Sequence, residues 1–282
     1  EKAKAMALAE ESDVIVAVVG GSSSRFGGAV FDANGAASKG TGSRSMDCGE
    51  GMDTAKVHIP AAQEELIAAL ARLGKPLVTV VIAGRAYCIE KIENASDAVL
   101  YAFYPGPMGG RAVAELLYGS SNPSGRLPVS MPRHVGQIPV CYNYRTSVAP
   151  AYCDMTRQPL HTFGEGRSYT TFTGSDVSVT KEENGISVSF TVENTGNMAG
   201  TSVPCLYVRK RSGGVVARIK ELKAFTRIAL APGEKKEAVF HLTKEELNFV
   251  QIPGKPEVIC HEYELMLEDG AEKWWTGNVT EM

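Results

Sequence analysis

The chain has 282 residues, of which 44% are hydrophobic and 22% are charged. This length allows one large domain or two of ordinary size, and the hydrophobic content excludes an intrinsically disordered protein. With 29 basic and 32 acidic residues and a formal net charge of -3, the composition indicates no basic surface for nucleic acids or anionic lipids. The longest apolar runs, Val14–Val19 and Leu77–Ala83, are far shorter than the roughly 20 residues of a membrane-spanning helix. These features predict a globular protein.

The first half of the chain alternates apolar runs with amphipathic stretches. Val14–Val19 is apolar at every position, which predicts a strand buried on both faces of a sheet. After a long polar loop, Leu66, Ile67 and Leu70 recur at helical spacing behind Pro60, which predicts an amphipathic helix. The predicted elements in chain order are a helix at Glu1–Glu11, a strand at Val14–Val19, a helix at Ala61–Leu73, strands at Pro76–Ala83 and Ala98–Ala102, and a helix at Gly109–Tyr118. This order is typical of an open α/β layer, in which ligands bind where loops leave the carboxyl ends of the strands.

Beyond about residue 120 the pattern changes twice. The first stretch has no periodic helix and carries six prolines, at positions 123, 128, 132, 139, 150 and 159. It predicts an extended connector that reaches residue 172. From residue 173 short apolar–polar alternations separated by turns predict an all-β sandwich of immunoglobulin or fibronectin III type. Its predicted strands are Ile186–Val192, Val203–Val208, Lys220–Arg227, Glu237–Leu242 and His261–Leu267.

The predicted fold is therefore an open α/β sandwich domain at residues 1–172, connector included, followed by a β-sandwich domain at residues 173–282. Trp274 and Trp275 are adjacent near the end of the chain, so we expect one in the sandwich core and the other exposed. Six cysteines are scattered without a CxxC pair or a nearby histidine at zinc-ligand spacing. This predicts reduced thiols and no metal site.

The loop at Gly20–Ile59 is the first candidate for chemistry, because loops longer than about 12–15 residues in compact domains are usually functional or disordered. Its glycines and serines allow a phosphate-binding loop as one interpretation. However, Gly20–Arg25 matches neither GxGxxG nor GxxxxGK[ST], and no helix is predicted directly behind it. A Ser/His/Asp triad is not indicated by any GxSxG motif, and Cys48 has no indicated base beside it.

A second candidate within the loop is the segment DCGEGMD, which places Asp47, Glu50 and Asp53 within seven residues. Neighbouring negative charge raises the pKa of a carboxyl group, which suits a general acid at neutral pH. The alternative interpretation is a solvated acidic turn without a catalytic role. The residues alone leave both interpretations open.

Long stretches of the chain resemble the C-terminal part of family 3 glycoside hydrolases, the β-glucosidase and β-xylosidase family. In the first domain the resemblance lies in GEGMD and the following residues at 49–85, in 96–140, and in PLHTFGEGRSYTTF at 159–172. In the second domain VENTGNMAG at 192–200, KELKAF at 220–225 and LAPGE at 230–234 resemble the family's fibronectin III-like module. Two positions differ from the common pattern: Glu165 stands where a tyrosine is frequent, and Thr54 where an arginine is common.

The resemblance implies a retaining, exo-acting β-glycosidase in which Glu50 is the acid/base. Gly49 and Gly51 would shape its loop, and Asp53 would orient it or tune its pKa. The family's aspartate nucleophile lies on a TIM barrel, and no segment here resembles that barrel, so we expect a fragment or one chain of a split enzyme that is inactive without its barrel partner. The implied substrate is a β-linked glycoside or oligosaccharide, most simply a β-glucoside, with a β-xyloside as the alternative.

The resemblance implies no cofactor and is compatible with a homo-oligomer. It leaves the sugar, the linkage and the compartment open, the cytoplasm being slightly favoured because no signal peptide is visible. A hypothesis from another class is a non-catalytic carbohydrate-binding or assembly module that kept the fold.

Overall fold

The structure is a computed structural model that describes residues 2–22, 30–31, 33–34, 37–38, 47–48, 53–145, 152–250, 252–255 and 258–280. The chain divides into two compact units. The first consists of residues 1–114 and 131–138, and the second of residues 115–130 and 139–282. The predicted connector thus contributes to both units, and the predicted domain boundary at residue 172 stays a prediction.

The first unit has α/β architecture, as predicted. Its elements in chain order are α1 (Lys2–Glu10), β1 (Ile15–Gly20), the two-residue strands β2 (Val30–Phe31) and β3 (Ala37–Ser38), α2 (Ala61–Ala71), β4 (Leu77–Ile82), α3 (Glu90–Ala95), β5 (Ala98–Tyr101) and α4 (Gly109–Leu117), whose last turn belongs to the second unit. The strands β1, β4 and β5 form a parallel sheet in the order β1-β4-β5. Their carboxyl ends therefore lie at one edge of the sheet, where ligand sites of such sheets form.

The core of this unit lies around the central strand β4. Leu77, Val80 and Val81 are at most 1% exposed, as expected for a parallel strand covered on both faces. Helix α2 begins after Pro60 and buries Ile67 among its apolar residues. The helical spacing in the sequence thus identified the buried face of α2.

Strand β1 departs from the prediction that it is buried on both faces. Val16 is 48% exposed and Val18 61% exposed, whereas Ile15, Ala17 and Val19 are buried. The reason is that one face of β1 packs on the core while the described residues leave the other face uncovered, so its side chains alternate between buried and exposed. An uninterrupted apolar run therefore predicted the strand correctly but not its environment.

The second unit is a β-sandwich, as predicted, with one short helix. Its elements are β6 (Phe172–Glu182), β7 (Gly185–Asn194), β8 (Gly200–Ser202), β9 (Cys205–Lys210), β10 (Glu221–Phe225), β11 (Ile228–Leu230), β12 (Lys235–Thr243), α5 (Lys244–Leu247), β13 (Glu262–Asp269) and β14 (Glu272–Thr280). One antiparallel sheet has the order β10-β9-β13-β14, a second has the order β12-β7-β6, and β11 pairs with β8. The inward residues of these sheets, including Val188, Leu206 and Leu265, form one hydrophobic cluster. All five strands predicted for this domain are present.

The tryptophan prediction is wrong in one respect. Trp274 and Trp275 are both half-buried, and both pack against the sandwich core. The pairing of β13 with β14 is irregular here, because Leu267 pairs with Trp275 and the next residue, Glu268, pairs with Lys273. Trp274 is therefore the extra residue of a bulge, which interrupts the alternation that would otherwise send neighbours to opposite faces.

Within the described part of the connector, Val135–Gln137 forms a short 3-10 helix. Within the second unit, Leu127 pairs with the segment before β6: its N–H donates to the carbonyl of Glu165, and its carbonyl accepts from Gly164. Among the residues that the structure describes, no helix is long and apolar enough to cross a membrane.

Candidate active site

The residues predicted to carry the chemistry are only partly described. Gly49, Glu50 and Gly51 lie outside the described residues, whereas Asp47, Cys48 and Asp53 on either side are described. The geometry of the site is therefore that of the residues flanking Glu50 and of the groups that hold them. The six cysteines are all free, and no three His, Cys, Asp or Glu side chains within the described ranges form a metal-binding group.

The carboxyl end of β1 is fixed to the sheet and to α2 by Gly20. The side-chain amide of Gln63 bonds this residue twice, since Oε1 accepts from Gly20 N at 2.7 Å and Nε2 donates to Gly20 O at 3.0 Å. Gly20 has a φ of +155°, and a Cβ there would lie 1.7 Å from the carbonyl oxygen of Ile82. Only glycine fits at this position, so the loop leaves β1 in a defined direction.

Asp47 joins the start of the loop to its end. Its Oδ1 accepts from the backbone N–H of Ser22 at 2.8 Å, and its own N–H donates to Ser22 O at 2.9 Å. Its Oδ2 accepts from the hydroxyl of Tyr87 at 2.6 Å. A side chain on Gly21 would collide with this bond, because its Cβ would lie 2.4 Å from Tyr87 Oη and 2.7 Å from Asp47 Oδ2.

Tyr87 is a permanent donor in this arrangement. Its side chain is fully buried, and burial, followed by the hydrogen bond to the Asp47 carboxylate, raises the pKa of the Tyr87 hydroxyl well above its usual range. Both effects disfavour a phenolate. The hydroxyl is therefore the donor in its hydrogen bond to Asp47.

Asp53 is held by an arginine from a different segment. Arg85 Nη2 lies 2.6 Å from Asp53 Oδ1, and the side chain of Asp53 is otherwise 74% exposed. The hydrogen bond from Arg85, together with one from the N–H of Thr54, lowers the pKa of Asp53. Burial lowers the pKa of Arg85, but the hydrogen bond to the Asp53 carboxylate and the charge of that carboxylate have the larger combined effect. The pKa of Arg85 is therefore raised. Thr54 follows this aspartate, and its guanidinium partner, Arg85, comes from the loop after β4.

The segment that contains Arg85 and Tyr87 is itself locked. The hydroxyl of Tyr101, at the end of β5, donates to the carbonyl of Arg85 and accepts from the N–H of Tyr87 at 3.3 Å. Burial raises the pKa of Tyr101 to about 12, so this hydroxyl remains neutral and serves both bonds. The Arg85 guanidinium also lies 5.9 Å from the centroid of the Tyr87 ring, within range of a cation–π contact.

Two alternative chemistries lose support from these contacts. Of the segment Gly20–Arg25 the structure describes Gly20–Ser22, whose three backbone N–H groups donate to Gln63, Ile82 and Asp47. A phosphate-binding loop needs such N–H groups for its ligand. Cys48 is buried with its sulfur 3.9 Å from the hydroxyl of Tyr104, which is a contact of a packed thiol rather than of a nucleophile beside a base.

The sequence analysis proposed Asp53 as a site residue but did not predict the contacts of Arg85 with Asp53 and of Tyr87 with Asp47. A signal was available. The residues GRAYC directly follow the buried run of β4, at the sheet edge where functional side chains of α/β layers gather. Their partners are nevertheless more than thirty residues away in the sequence, and no local pattern links them.

Comparison with known proteins decides the family. The model of the glycosyl hydrolase family 3 C-terminal domain matches residues 1–169, and that of the fibronectin type III-like domain matches residues 202–271. The chain belongs to glycosyl hydrolase family 3. It carries the family's C-terminal α/β domain followed by a fibronectin type III-like domain, as the resemblance predicted.

Relatives within family 3 include β-glucosidases and β-xylosidases. The chain is 37% identical over 261 residues to a periplasmic β-glucosidase of Salmonella typhimurium, covering 87% of this chain and 31% of that protein. It is 39% identical over 217 residues to a β-xylosidase of Formosa agariphila, covering 74% of this chain and 30% of that protein. The chain thus spans about a third of the length of these relatives.

Solved structures show the same correspondence. A β-glucosidase from Listeria innocua in complex with isofagomine superposes with a TM-score of 0.85 at 29% identity, covering 99% of this chain and 38% of that one. A β-glucosidase from Erythrobacter marinus superposes with a TM-score of 0.84 at 32% identity, covering 99% and 36%.

Proposed function

We propose that this chain is the acid/base-bearing part of a retaining, exo-acting β-glycosidase, and that Glu50 is the acid/base. The observation that carries the proposal is the GEG motif at residues 49–51, inside the region that matches the family 3 C-terminal domain. In this proposal Glu50 protonates the glycosidic oxygen and then activates the hydrolytic water. Gly49 and Gly51 let the loop turn closely, and Asp53 orients it.

The second carboxylate of the reaction comes from outside the sequence of this chain. A retaining glycosidase needs a nucleophile roughly 5–5.5 Å from the acid/base. We assign that nucleophile to a TIM barrel, on the same polypeptide or on a partner. This chain without the barrel is then expected to be inactive, because an enzyme that lacks its nucleophile loses most of its rate.

The proposed substrate is a terminal β-glucosyl residue. The solved structures described above are β-glucosidases, and a periplasmic β-glucosidase is among the relatives. A β-xyloside is the second candidate, supported by the β-xylosidase relative. Comparing phenyl β-glucoside with phenyl β-xyloside as substrates of the barrel-containing enzyme separates the two, since the preferred sugar has the higher kcat/KM.

The decisive test is Glu50→Gln in the barrel-containing enzyme. Gln cannot donate a proton, so kcat/KM for phenyl β-glucoside, whose leaving group needs protonation, is expected to fall at least 100-fold. The value for 2,4-dinitrophenyl β-glucoside is expected to change less than about threefold, because its leaving group departs without an acid. With 2,4-dinitrophenyl β-glucoside, azide is expected to raise kcat of the variant by attacking the glycosyl-enzyme in place of base-activated water.

A matched control is Glu183→Gln, which makes the same change at an exposed turn of the second unit. It is expected to leave kcat/KM unchanged for both substrates. Equal activity of Glu50→Gln and the unchanged enzyme on phenyl β-glucoside would disprove the role of Glu50 and favour a non-catalytic module.

A further inference from the structure

We infer that Tyr87 and Arg85 are positioning residues that together fix both ends of the segment carrying Glu50. Tyr87 anchors Asp47, three residues before Glu50, and Arg85 anchors Asp53, three residues after it. The inference rests on the proposed function, because it concerns the placement of the acid/base named there.

The upstream anchor is rigid because all its groups are buried or bonded. Tyr87 is fully buried, and its hydroxyl reaches Asp47 Oδ2 at 2.6 Å while Ser22 N occupies Oδ1 at 2.8 Å. The space beside them is closed, since even a Cβ on Gly21 would overlap both partners. Asp47 therefore has one position and orientation, and the chain enters the Glu50 segment from a fixed point.

The downstream anchor is exposed but shares the same support. Arg85 and Asp53 meet at 2.6 Å with the Asp53 side chain largely in solvent, so the ion pair alone would stabilise the fold little. Arg85 is nevertheless held from behind, because Tyr101 bonds its carbonyl and also the N–H of Tyr87. One locked segment of three residues, 85–87, thus carries both anchors.

This arrangement suits a general acid that sits on a loop. An acid must stand within hydrogen-bond reach of the leaving oxygen, and a misplacement of about 1 Å can cost 100-fold in rate. Two anchors on one rigid segment keep the two ends of the Glu50 segment at a constant separation. In this inference the anchors act through Glu50, so we expect their effect to be confined to the steps that need the Glu50 proton or base.

The test is Tyr87→Phe in the barrel-containing enzyme, which removes the hydroxyl and keeps the ring. We expect kcat/KM for phenyl β-glucoside to fall 10- to 100-fold, and that for 2,4-dinitrophenyl β-glucoside to fall less than threefold. Arg85→Met is expected to show the same selectivity with a smaller loss of kcat/KM for phenyl β-glucoside. Arg85→Lys, which keeps the charge, is expected to retain more of this kcat/KM than Arg85→Met. A general loss of structure would lower kcat/KM for both substrates together and would not produce this selectivity.

A matched control is Tyr263→Phe, which also removes the hydroxyl of a buried tyrosine, one that donates to the carbonyl of Cys260 in the second unit. It is expected to change kcat/KM slightly and by the same factor for both substrates. If Tyr87→Phe fails to fold, as judged by circular dichroism, Asp47→Asn replaces it, because this isosteric change weakens the same anchor and the same selectivity is expected.

The outcomes separate this inference from the proposed function. Suppose that Glu50→Gln lowers kcat/KM mainly for phenyl β-glucoside, but Tyr87→Phe lowers kcat/KM equally for both substrates or for neither. The positioning role is then wrong, and the assignment of Glu50 stands. If Glu50→Gln shows no selectivity, both are wrong.

Discussion

Asp269 illustrates how a single buried carboxylate organises the second unit. Its Oδ1 accepts from Nε and Nη2 of Arg126 at 2.9 and 2.6 Å, and its Oδ2 accepts from the hydroxyl of Ser202 at 2.6 Å and the N–H of Val203 at 3.1 Å. The side chains of Asp269 and Arg126 are only 4% and 10% exposed. Four donors thus satisfy one buried charge, and they tie the connector and the end of β8 to the end of β13.

We expect Asp269→Asn to lower the free energy of unfolding of the second unit by about 3 kcal/mol, because it leaves a buried guanidinium without its counter-charge. Both tryptophans of the chain, Trp274 and Trp275, lie in β14, so tryptophan fluorescence in a urea titration reports this unit. The control is Glu193→Gln, which breaks the surface pair with Lys235 at 3.0 Å and is expected to cost less than 1 kcal/mol. Equal effects of the two changes would show that the Asp269 pair contributes no more than a surface pair.

The residues around the candidate site mark the limit of sequence reasoning at this scale. Glu50 and Asp53 could be proposed as site residues because they lie in one short segment that resembles a family motif. Arg85 and Tyr87 could not be linked to them, because the contacts depend on β1 and β4 running parallel with Gly20 opposite Ile82. That alignment brings together groups about forty residues apart, and no local pattern encodes it.

At the scale of elements, α5 depends on its first turn. Thr243 and Glu246 form a capping box, in which the N–H of Glu246 donates to Thr243 Oγ1 at 3.2 Å and Glu246 Oε2 accepts from the N–H of Thr243 at 2.8 Å. The bond from the Thr243 backbone, followed by that from its hydroxyl, holds the pKa of Glu246 below its ordinary value of 4.5. A depressed pKa means that this contribution to stability is complete above pH 4.5 and is lost as the pH falls through the folded-state pKa.

We therefore expect Glu246→Gln to destabilise the second unit by about 0.5–1 kcal/mol at pH 7, at the lower end of the range for a cap because the side chain is exposed. The difference between variant and unchanged chain is expected to shrink below pH 4.5, where the carboxylate of the unchanged chain takes up its proton. Urea titrations followed by tryptophan fluorescence at pH 7 and pH 3.5 measure both values. Glu245→Gln, on the same turn, is the control and is expected to have no resolvable effect at either pH. A difference for Glu246→Gln that does not depend on pH would contradict the role of its charge.

Elements with strong local periodicity were predictable, and those without it were not. Helix α2 and strand β4 follow from apolar spacing and lie within two residues of their predicted bounds. Strand β6 was missed because Thr, Ser, Asp and Lys occupy most of its positions and its apolar residues are few. Helix α3 was missed because its six residues are too few to show a helical period.

At the scale of the whole chain, composition predicted globularity, and the change from helical periodicity to two-residue alternation predicted the order of the two architectures. The compact units themselves depend on contacts that the sequence does not display. The connector segments 120–130 and 139–172 belong to the unit that contains the sandwich, while residues 131–138 belong to the α/β unit. Proline content identified this region as extended, but its division between units follows from long-range pairs such as Arg126 with Asp269.

The proposed division of the reaction between this chain and a barrel gives a prediction for the whole enzyme. Two carboxylates at the spacing of a retaining glycosidase require two inversions at the anomeric carbon, so the released sugar keeps the β configuration. We expect the 282-residue chain alone to release no sugar from phenyl β-glucoside, and its mixture with the barrel polypeptide to release β-glucose first, observed by proton NMR before mutarotation. The barrel alone is the control and is expected to turn over phenyl β-glucoside at least 100-fold more slowly than the mixture, because it lacks the acid. Release of α-glucose as the first product would contradict a double displacement, and turnover by this chain alone would place the nucleophile within it.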